Sequence, residues 1–242
     1  MGNLLITEAI ILAGGFGTRL QPVVSDRPKA LADIAGKPFI EYQLEWLGMQ
    51  GIKNVTLATH HMADQLQVFI KQWSNTNLNI DSIYEKEPLG TGGAITNVIK
   101  KKMITGRVLV INGDTLFYFS IDPVLQFMRK MKEPAMLIAT ALDNVSRFGT
   151  IVIEKNHVIS FKQATGENGA GIVNGGAYIL DSSLFSCEKN QPFSLEYELF
   201  PKLVKERKLL AYVMNDTKGF FDIGTPEAYK QICSTVIKRK SK

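Results

Sequence analysis

The run Leu12-Ala13-Gly14-Gly15-Phe16-Gly17-Thr18-Arg19-Leu20 follows directly on an apolar segment, Ala9-Ile10-Ile11-Leu12, that predicts a buried strand. A glycine-dense turn at that point lets the main chain pass close to a bound group, because glycine has no Cβ and accepts positive φ. Successive N–H groups in such a turn form an anion-binding nest. Arg19 ends the turn, and Lys29 follows within the next segment. A bare loop beside two fixed cations suits a polyphosphate. Two common phosphate loops are not matched. The P-loop needs G-x-x-x-x-G-K-[ST], which the chain lacks. The dinucleotide fingerprint needs G-x-G-x-x-G and an acidic ribose ligand after the second strand. Here Gly15-x-Gly17 is completed by Leu20, and the segment after Val55 offers His60-His61.

The whole pattern Gly14-Gly15-Phe16-Gly17-Thr18-Arg19-Leu20, with Arg27-Pro28-Lys29 at its spacing, resembles the sugar nucleotidyltransferases, also called nucleotide-sugar pyrophosphorylases. The resemblance runs from Glu8 to about Ile232. It implies that Leu12, Ala13, Gly14, Gly15, Gly17 and Thr18 cradle the triphosphate of a nucleotide. It also implies that Arg19 and Lys29 are the catalytic cations, stabilising charge as a sugar 1-phosphate attacks.

Further motifs carry the acids and the two substrate sites. Val108–Ile111 is an almost purely apolar run, as a central buried strand requires, and it ends at Asn112-Gly113-Asp114. A carboxylate at the carboxyl end of such a strand suits Mg²⁺, which takes one or two carboxylates plus phosphate oxygens. The alternative is an Asn-Gly-Asp turn without metal. Phe221-Asp222-Ile223-Gly224-Thr225 resembles the family segment that supplies a second carboxylate to the same ion, so Asp114 and Asp222 are expected as metal ligands. Thr225-Pro226-Glu227 also makes a good helix start. Asn112 and Gly113 are expected beside the nucleotide. Glu87-Pro88-Leu89-Gly90-Thr91-Gly92-Gly93-Ala94 looks like the family's base-recognition loop, which adds Glu87, Pro88, Gly90 and Thr91 to the nucleotide set. Its glycines resemble the members that use guanine nucleotides; a capped helix entry at Thr91 explains Thr91 alone. Asn174-Gly175-Gly176-Ala177-Tyr178 resembles the sugar-contacting strand, and Gly149 a second sugar-site glycine. Glu196 reads either as a hydroxyl-binding carboxylate or as a solvated residue in a helix capped by Ser194. Where many relatives carry a Glu-Lys pair the chain has Gln163-Ala164, which leaves adjacent Lys162 for the phosphate contact.

These residues need a frame. Strand-like and helix-like segments alternate, which predicts an α/β fold. Strands are expected at 9–12, 55–58, 80–84, 108–111, 136–141, 172–180 and 210–214. Helices are expected at 39–49 with Gly51 behind it, 63–73, 94–101, 123–131 with Asp122 as N-cap, 195–205 and 226–237. Residues 150–161 predict a hairpin turning at Lys155-Asn156, and 165–171 a mobile loop. With the resemblance, the expected class is a Rossmann-like (GT-A-like) three-layer sandwich around a mixed, mostly parallel central sheet. One domain covers 1–237, and 238–242 form a basic disordered tail.

Composition excludes several classes. The 242 residues carry a net charge of +5, but Lys238, Arg239, Lys240 and Lys242 account for most of that excess. No basic patch with interleaved aromatics accompanies them, so nucleic acid is not an expected partner. Cys187 and Cys233 show neither a disulfide framework nor a zinc spacing. No apolar run approaches the ~18 residues of a membrane span. The first residues carry Glu8 and lack a basic leader, so no signal peptide is expected. Trp46, Trp73 and the phenylalanines are expected in the core, and His60-His61 either at the surface or as a pair supporting the site from behind. The expected partners are a nucleoside triphosphate and a sugar 1-phosphate, with Mg²⁺ as cofactor. A cytoplasmic setting and self-association complete the expectation.

Overall fold

The computed structural model describes residues 6–74, 77–185, 191–214 and 219–240. Eleven strands appear among them: β1 Glu8–Leu12, β2 Asn54–Thr59, β3 Asn79–Tyr84, β4 Arg107–Asn112, β5 Thr115–Phe117, β6 Ala135–Leu142, β7 Thr150–Glu154, β8 His157–Lys162, β9 Gly171–Asp181, β10 Leu209–Met214 and β11 Phe220–Asp222. The helices are α1 Phe39–Met49, α2 Ala63–Gln72, α3 Gly90–Lys102, α4 Ile121–Arg129, α5 Phe200–Lys205 and α6 Pro226–Lys240. Nine strands form one sheet in the order β3-β2-β1-β4-β9-β6-β10-β8-β7. β3, β2, β1 and β4 pair in parallel, as do β6 and β10. β9 is antiparallel to both β4 and β6.

The strands alternate sharply enough to build two faces. Ala9 and Ile11 of β1, with Leu109 and Ile111 of β4, pack against Ile40, Leu44 and Leu47 of α1 and Val124, Leu125 and Met128 of α4. Ile10, Val108 and Val110 point the other way, onto Ala94, Ile95 and Val98 of α3 and Phe200 and Leu203 of α5. This three-layer arrangement buries both faces of a mixed sheet; the expected mostly parallel pairing does not hold, since four strand pairings are parallel and five antiparallel. Trp46 belongs to that core and spends its indole N–H on the Phe119 carbonyl, 3.1 Å away.

A third, smaller core lies off the sheet. Leu20, Val24, Ala32, Ile34, Phe39, Leu116, Ile223 and Ile232 cluster there. They tie the loop after β1, the β5/β11 ribbon and α6 into one unit. In that ribbon Asp222 faces Thr115, Phe221 faces Leu116 and Phe220 faces Phe117. Neither ribbon strand is expected from the sequence, because three-residue strands show no usable period.

Element boundaries differ at informative places. α3 begins at Gly90, so the glycine motif opens a helix. α4 begins at Ile121 after Ser120, and Asp122 lies inside its first turn instead of capping it. The Gln50 side-chain oxygen takes the Ile121 N–H that a cap would have served, at 2.9 Å. The expected helix at 195–205 is one π turn, Leu195–Leu199, running into α5. The hairpin turns at Lys155 and Asn156, with φ of 47° and 66°, the positive pair that a two-residue turn matching strand twist requires. Residues 163–170 hold no regular element, and α6 reaches Lys240, inside the expected tail. Cys187 lies outside the described residues.

Gly113 is the tightest backbone approach in this frame. Its N–H donates to the Leu12 carbonyl at 3.0 Å. A Cβ there would sit 2.5 Å from that same oxygen. Gly113→Ala is therefore expected to force β1 and β4 apart at their site ends. Urea denaturation should show a loss on the order of 1–3 kcal/mol, and an unchanged midpoint would contradict the packing described.

Candidate active site

The carboxyl ends of β1, β2 and β4, with the start of α3, enclose a cleft of about 250 Å³. Leu12, Gly14 and Gly15 form one wall, Pro88, Leu89, Gly90 and Thr91 the opposite one, and Asn112 the floor. Ala13 anchors the loop through its N–H to Ala58 at 2.9 Å. Gly17 and Thr18 lie farther along the loop, outside the cleft lining. Gly17 has φ of 61°, and a Cβ on it would meet Lys29 Cβ at 3.4 Å. The loop thus runs from the cleft toward its cations.

Within the expected base-recognition loop, one residue of the nucleotide set lies away from the cleft, and the glycines after Thr91 have another use. Glu87 is exposed and does not line the cleft, whereas Glu85 is 6% exposed and does. The Glu85 N–H continues the β2–β3 pairing by donating to Thr59 at 2.8 Å, which turns its side chain inward. Its Oε2 accepts from Leu89 N–H at 3.3 Å. Burial pushes its carboxyl above the usual glutamate range. Gly92 and Gly93 do not offer bare backbone to a base. A Cβ on Gly92 would strike the Phe193 ring, and one on Gly93 would meet Leu89 and the Gln191 carbonyl. These glycines admit the 191–195 segment instead. Thr91 makes no helix cap: its hydroxyl donates to Glu196 Oε2 at 2.9 Å and accepts Leu195 N–H at 2.8 Å.

His60 and Phe16 also line the cleft. His60 Nδ1 lies 2.9 Å from the Glu85 carbonyl, and its ring meets Phe16 edge-on at 5.5 Å. The surface expectation for the histidine pair thus fails for His60, because β2 ends at the cleft mouth.

The β5/β11 ribbon brings the two acids together. Ile223 N–H donates to the Asp114 carbonyl at 3.0 Å, and Gly224 N–H to Asp222 Oδ1 at 2.6 Å. Lys29 Nζ reaches Asp114 Oδ2 at 2.7 Å, with 13% of the lysine side chain exposed. Thr115 Oγ1 donates to Asp114 Oδ1 at 3.2 Å. Burial, and next the charge of Asp114, raise the Asp222 carboxyl above the ordinary aspartate range. Arg19 reaches the same spot: its Nη2 lies 3.3 Å from where a Gly224 Cβ would be. Arg147 was not apparent from the sequence. Its guanidinium lies 3.7 Å from Asp222 Oδ2 and donates to Thr225 Oγ1 at 3.0 Å. Two hard oxygen donors converging beside cations fit a divalent ion whose other ligands are phosphate oxygens. Among the described residues no larger cluster of His, Cys, Asp or Glu assembles.

The expected acceptor residues gather on β9 and around it. Between Ile138 and Ala139 of β6 the pairing jumps from Ala177 to Asn174, leaving Gly175 and Gly176 as a bulge. A Cβ on Gly175 would lie 2.7 Å from the Ile138 carbonyl and from the Phe117 ring. Asn174 is held at both ends: Oδ1 accepts Gly176 N–H and Nδ2 donates to the Tyr178 hydroxyl, each at 2.9 Å. Asn112 hydrogen-bonds to the same buried hydroxyl, so one phenol joins the cleft floor to the bulge. Ser194 does cap its turn, accepting from Glu196 and Tyr197 N–H at 3.2 Å each. Glu196 is nevertheless not free in solvent, being bonded to Thr91 and Ser194. Gly149 lies against the Lys162 carbonyl, and the Lys162 side chain is exposed.

A glycine loop at strand ends, a lysine on one acid and a second acid beside it form an arrangement suited to transfer between phosphates on an α/β sheet. The chain belongs to the Nucleotidyl transferase family, which it matches over residues 8–239. It is 35% identical over 93% of its length to a D-glycero-alpha-D-manno-heptose 1-phosphate guanylyltransferase of Aneurinibacillus thermoaerophilus, covering 96% of that protein. It is 37% identical to the protein of that name from Campylobacter jejuni, over 92% of this chain and 96% of the other. The crystal structure of HddC from Yersinia pseudotuberculosis complexed with GMP-PN superposes with a TM-score of 0.81 at 35% identity, covering 96% of this chain and 100% of that one. No helix among the described residues is long and apolar enough to cross a membrane.

Glu85 generates a pH prediction. Its folded value is raised by burial, so the folded state binds the proton more tightly than the unfolded chain. Stability is then intact below the ordinary glutamate value of 4.5 and declines as pH rises through the raised one. Glu85→Gln should melt higher than the native chain at neutral pH, and the gap should close on acidification. Calorimetry showing a constant gap would contradict this.

Proposed function

We propose that this protein joins GTP to a sugar 1-phosphate, with D-glycero-alpha-D-manno-heptose 1-phosphate as the acceptor, releasing pyrophosphate and a GDP-sugar for cell-surface glycan synthesis. The observation that carries the reading is the pairing of Asp222 with Thr115, which sets a second carboxylate beside Asp114 and Lys29 at the end of the glycine loop. The identities to the heptose enzymes support the choice of acceptor. A non-catalytic binding role on this fold would not require Lys29, Asp114 and Asp222, all of which are in place.

An acceptor phosphate oxygen attacks the α-phosphorus in line, and the bond from that phosphorus to the β-phosphate bridging oxygen breaks. The nucleophile is already anionic near neutral pH, so no general base is needed. The barrier is alignment and repulsion between anions. Loop N–H groups from Gly14 to Gly17 hold the phosphates, Arg19 takes the β- and γ-phosphates, and Lys29 neutralises charge near the reacting ones. Asp114 and Asp222 would hold Mg²⁺, which when bound would offset charge on the phosphate oxygens. On the base side, guanine offers N1–H and N2–H₂ donors, and the inward Glu85 carboxylate is an acceptor-only partner for them. Asn174, Gly175, Gly149, Glu196 and Lys162 form the acceptor side.

A matrix of four nucleoside triphosphates against heptose, mannose and glucose 1-phosphates, read as pyrophosphate release, tests the assignment. GTP with the heptose phosphate should dominate. Preference for mannose 1-phosphate or for UTP would move the assignment to those transferases, and no release with any pair would overturn it. Lys29→Ala and Asp222→Ala should each lower kcat on the order of 10²–10³-fold while melting near the native temperature. Native turnover in either variant would remove its assigned role.

A further inference from the structure

We propose that Gln43, a residue of α1 that cannot reach either substrate, is the positioning residue for the Asp114 carboxylate; this rests on the metal-site reading above. Gln43 has no exposed surface. Its Nε2 donates to the Asn112 carbonyl at 2.8 Å and to the Thr115 carbonyl at 2.7 Å. Those two oxygens stand on either side of the Gly113-Asp114 turn. One amide nitrogen therefore spends both hydrogens closing the turn that aims the carboxylate. The amide has only one workable orientation, because turning it over would press Oε1 against two carbonyl oxygens. Its own oxygen has no hydrogen-bond partner among the described residues. A buried polar side chain half unsatisfied is costly, which is unexpected in a helix face otherwise filled by Ile40, Leu44 and Leu47.

Lys29 Nζ and Thr115 Oγ1 bind the Asp114 carboxylate itself, and the remaining contacts of the turn are main-chain ones. Gly113 N–H is fixed on Leu12 and the Asp114 carbonyl on Ile223 N–H. Those contacts tie the turn to β1 and to the segment after β11. Gln43 is the side chain that sets the spacing across it. Outer groups that orient metal ligands typically change metal affinity or activity by roughly 10–100-fold when removed.

Gln43→Met keeps the volume and removes both hydrogens. Gln43→Glu keeps the shape and, when protonated, has one hydrogen for two carbonyls. Leu47→Ala on the same helix serves as a variant that loosens the core alone. Mn²⁺ binding by electron paramagnetic resonance, with kcat and KM for GTP, should be read well below each melting temperature. Both Gln43 variants should weaken Mn²⁺ binding and lower kcat roughly 10–100-fold, with KM for GTP near native and Leu47→Ala unaffected in Mn²⁺ affinity. Added to Asp114→Asn, Gln43→Met should cost nothing more. Loss of melting temperature with native Mn²⁺ affinity in Gln43→Met, or in Gln43→Glu if the first does not fold, would overturn the role. Native Mn²⁺ binding in Asp114→Asn would instead bring down the metal-site reading, and this inference with it.

Discussion

The pairing of β5 with β11 is the constraint on which the site depends. It joins two segments more than a hundred residues apart in sequence and sets Asp222 across from Thr115, next to Asp114. Isolated two-stranded ribbons are marginal in water. This one is held because Leu116 and Ile223, immediately beyond the acids, are buried in the small third core. Leu20, next to Arg19, is buried in the same cluster. A single apolar cluster thus fixes a cation and both acids relative to one another. The raised carboxyl of Asp222 shows the electrostatic consequence. Folding holds two like charges together in a partly dry place, which the charges of Lys29 and Arg147 partly offset.

How far the sequence could be read follows from the kind of signal each part carries. β1 and β4 were legible because buried strands leave continuous apolar runs, β9 through the apolar segments on either side of its glycines, and the hairpin turn through Asn156, a residue type that tolerates positive φ. The glycine loop stood out because glycines and cations lie close together in sequence. The ribbon did not, since Phe220–Asp222 is half-buried and too short for a period. Asp222 itself was reached only through resemblance. Glu85 was missed because its inward direction comes from the continued pairing with β2, which local residue types do not show. The opposite error fell on Gly92 and Gly93, where abundance of glycine suggested a ligand and the structure has Phe193. Glycine density marks close approach without saying what approaches.

The change of strand direction at β9 separates the cleft from the β9 bulge. Parallel β1, β2 and β4 deliver their ends to the cleft, while β9 runs antiparallel beside β4. The bulge at Gly175 and Gly176 falls beside Asn112: a Cβ on Gly176 would sit 3.1 Å from Asn112 Nδ2. That nitrogen therefore lies beside β9. The fully buried Tyr178 hydroxyl hydrogen-bonds to the amides of both Asn112 and Asn174, and so ties the cleft to the bulge.

These arrangements share a logic. Transfer between two phosphates requires little proton movement, so the chain needs fixed charge and fixed direction more than a tuned acid or base. The side chains proposed for that work are a lysine, an arginine and two aspartates, and neighbouring elements aim three of them: Lys29 by Asp114, Asp222 by Gly224 and the ribbon, Asp114 by its turn. Gln43 and Tyr178, with no exposed surface, hold orientation, and the buried Glu85 presents an acceptor at the cleft wall. Gln43 spends both hydrogens on the turn that carries Asp114. Directions fixed from buried positions supply the alignment that in-line attack demands.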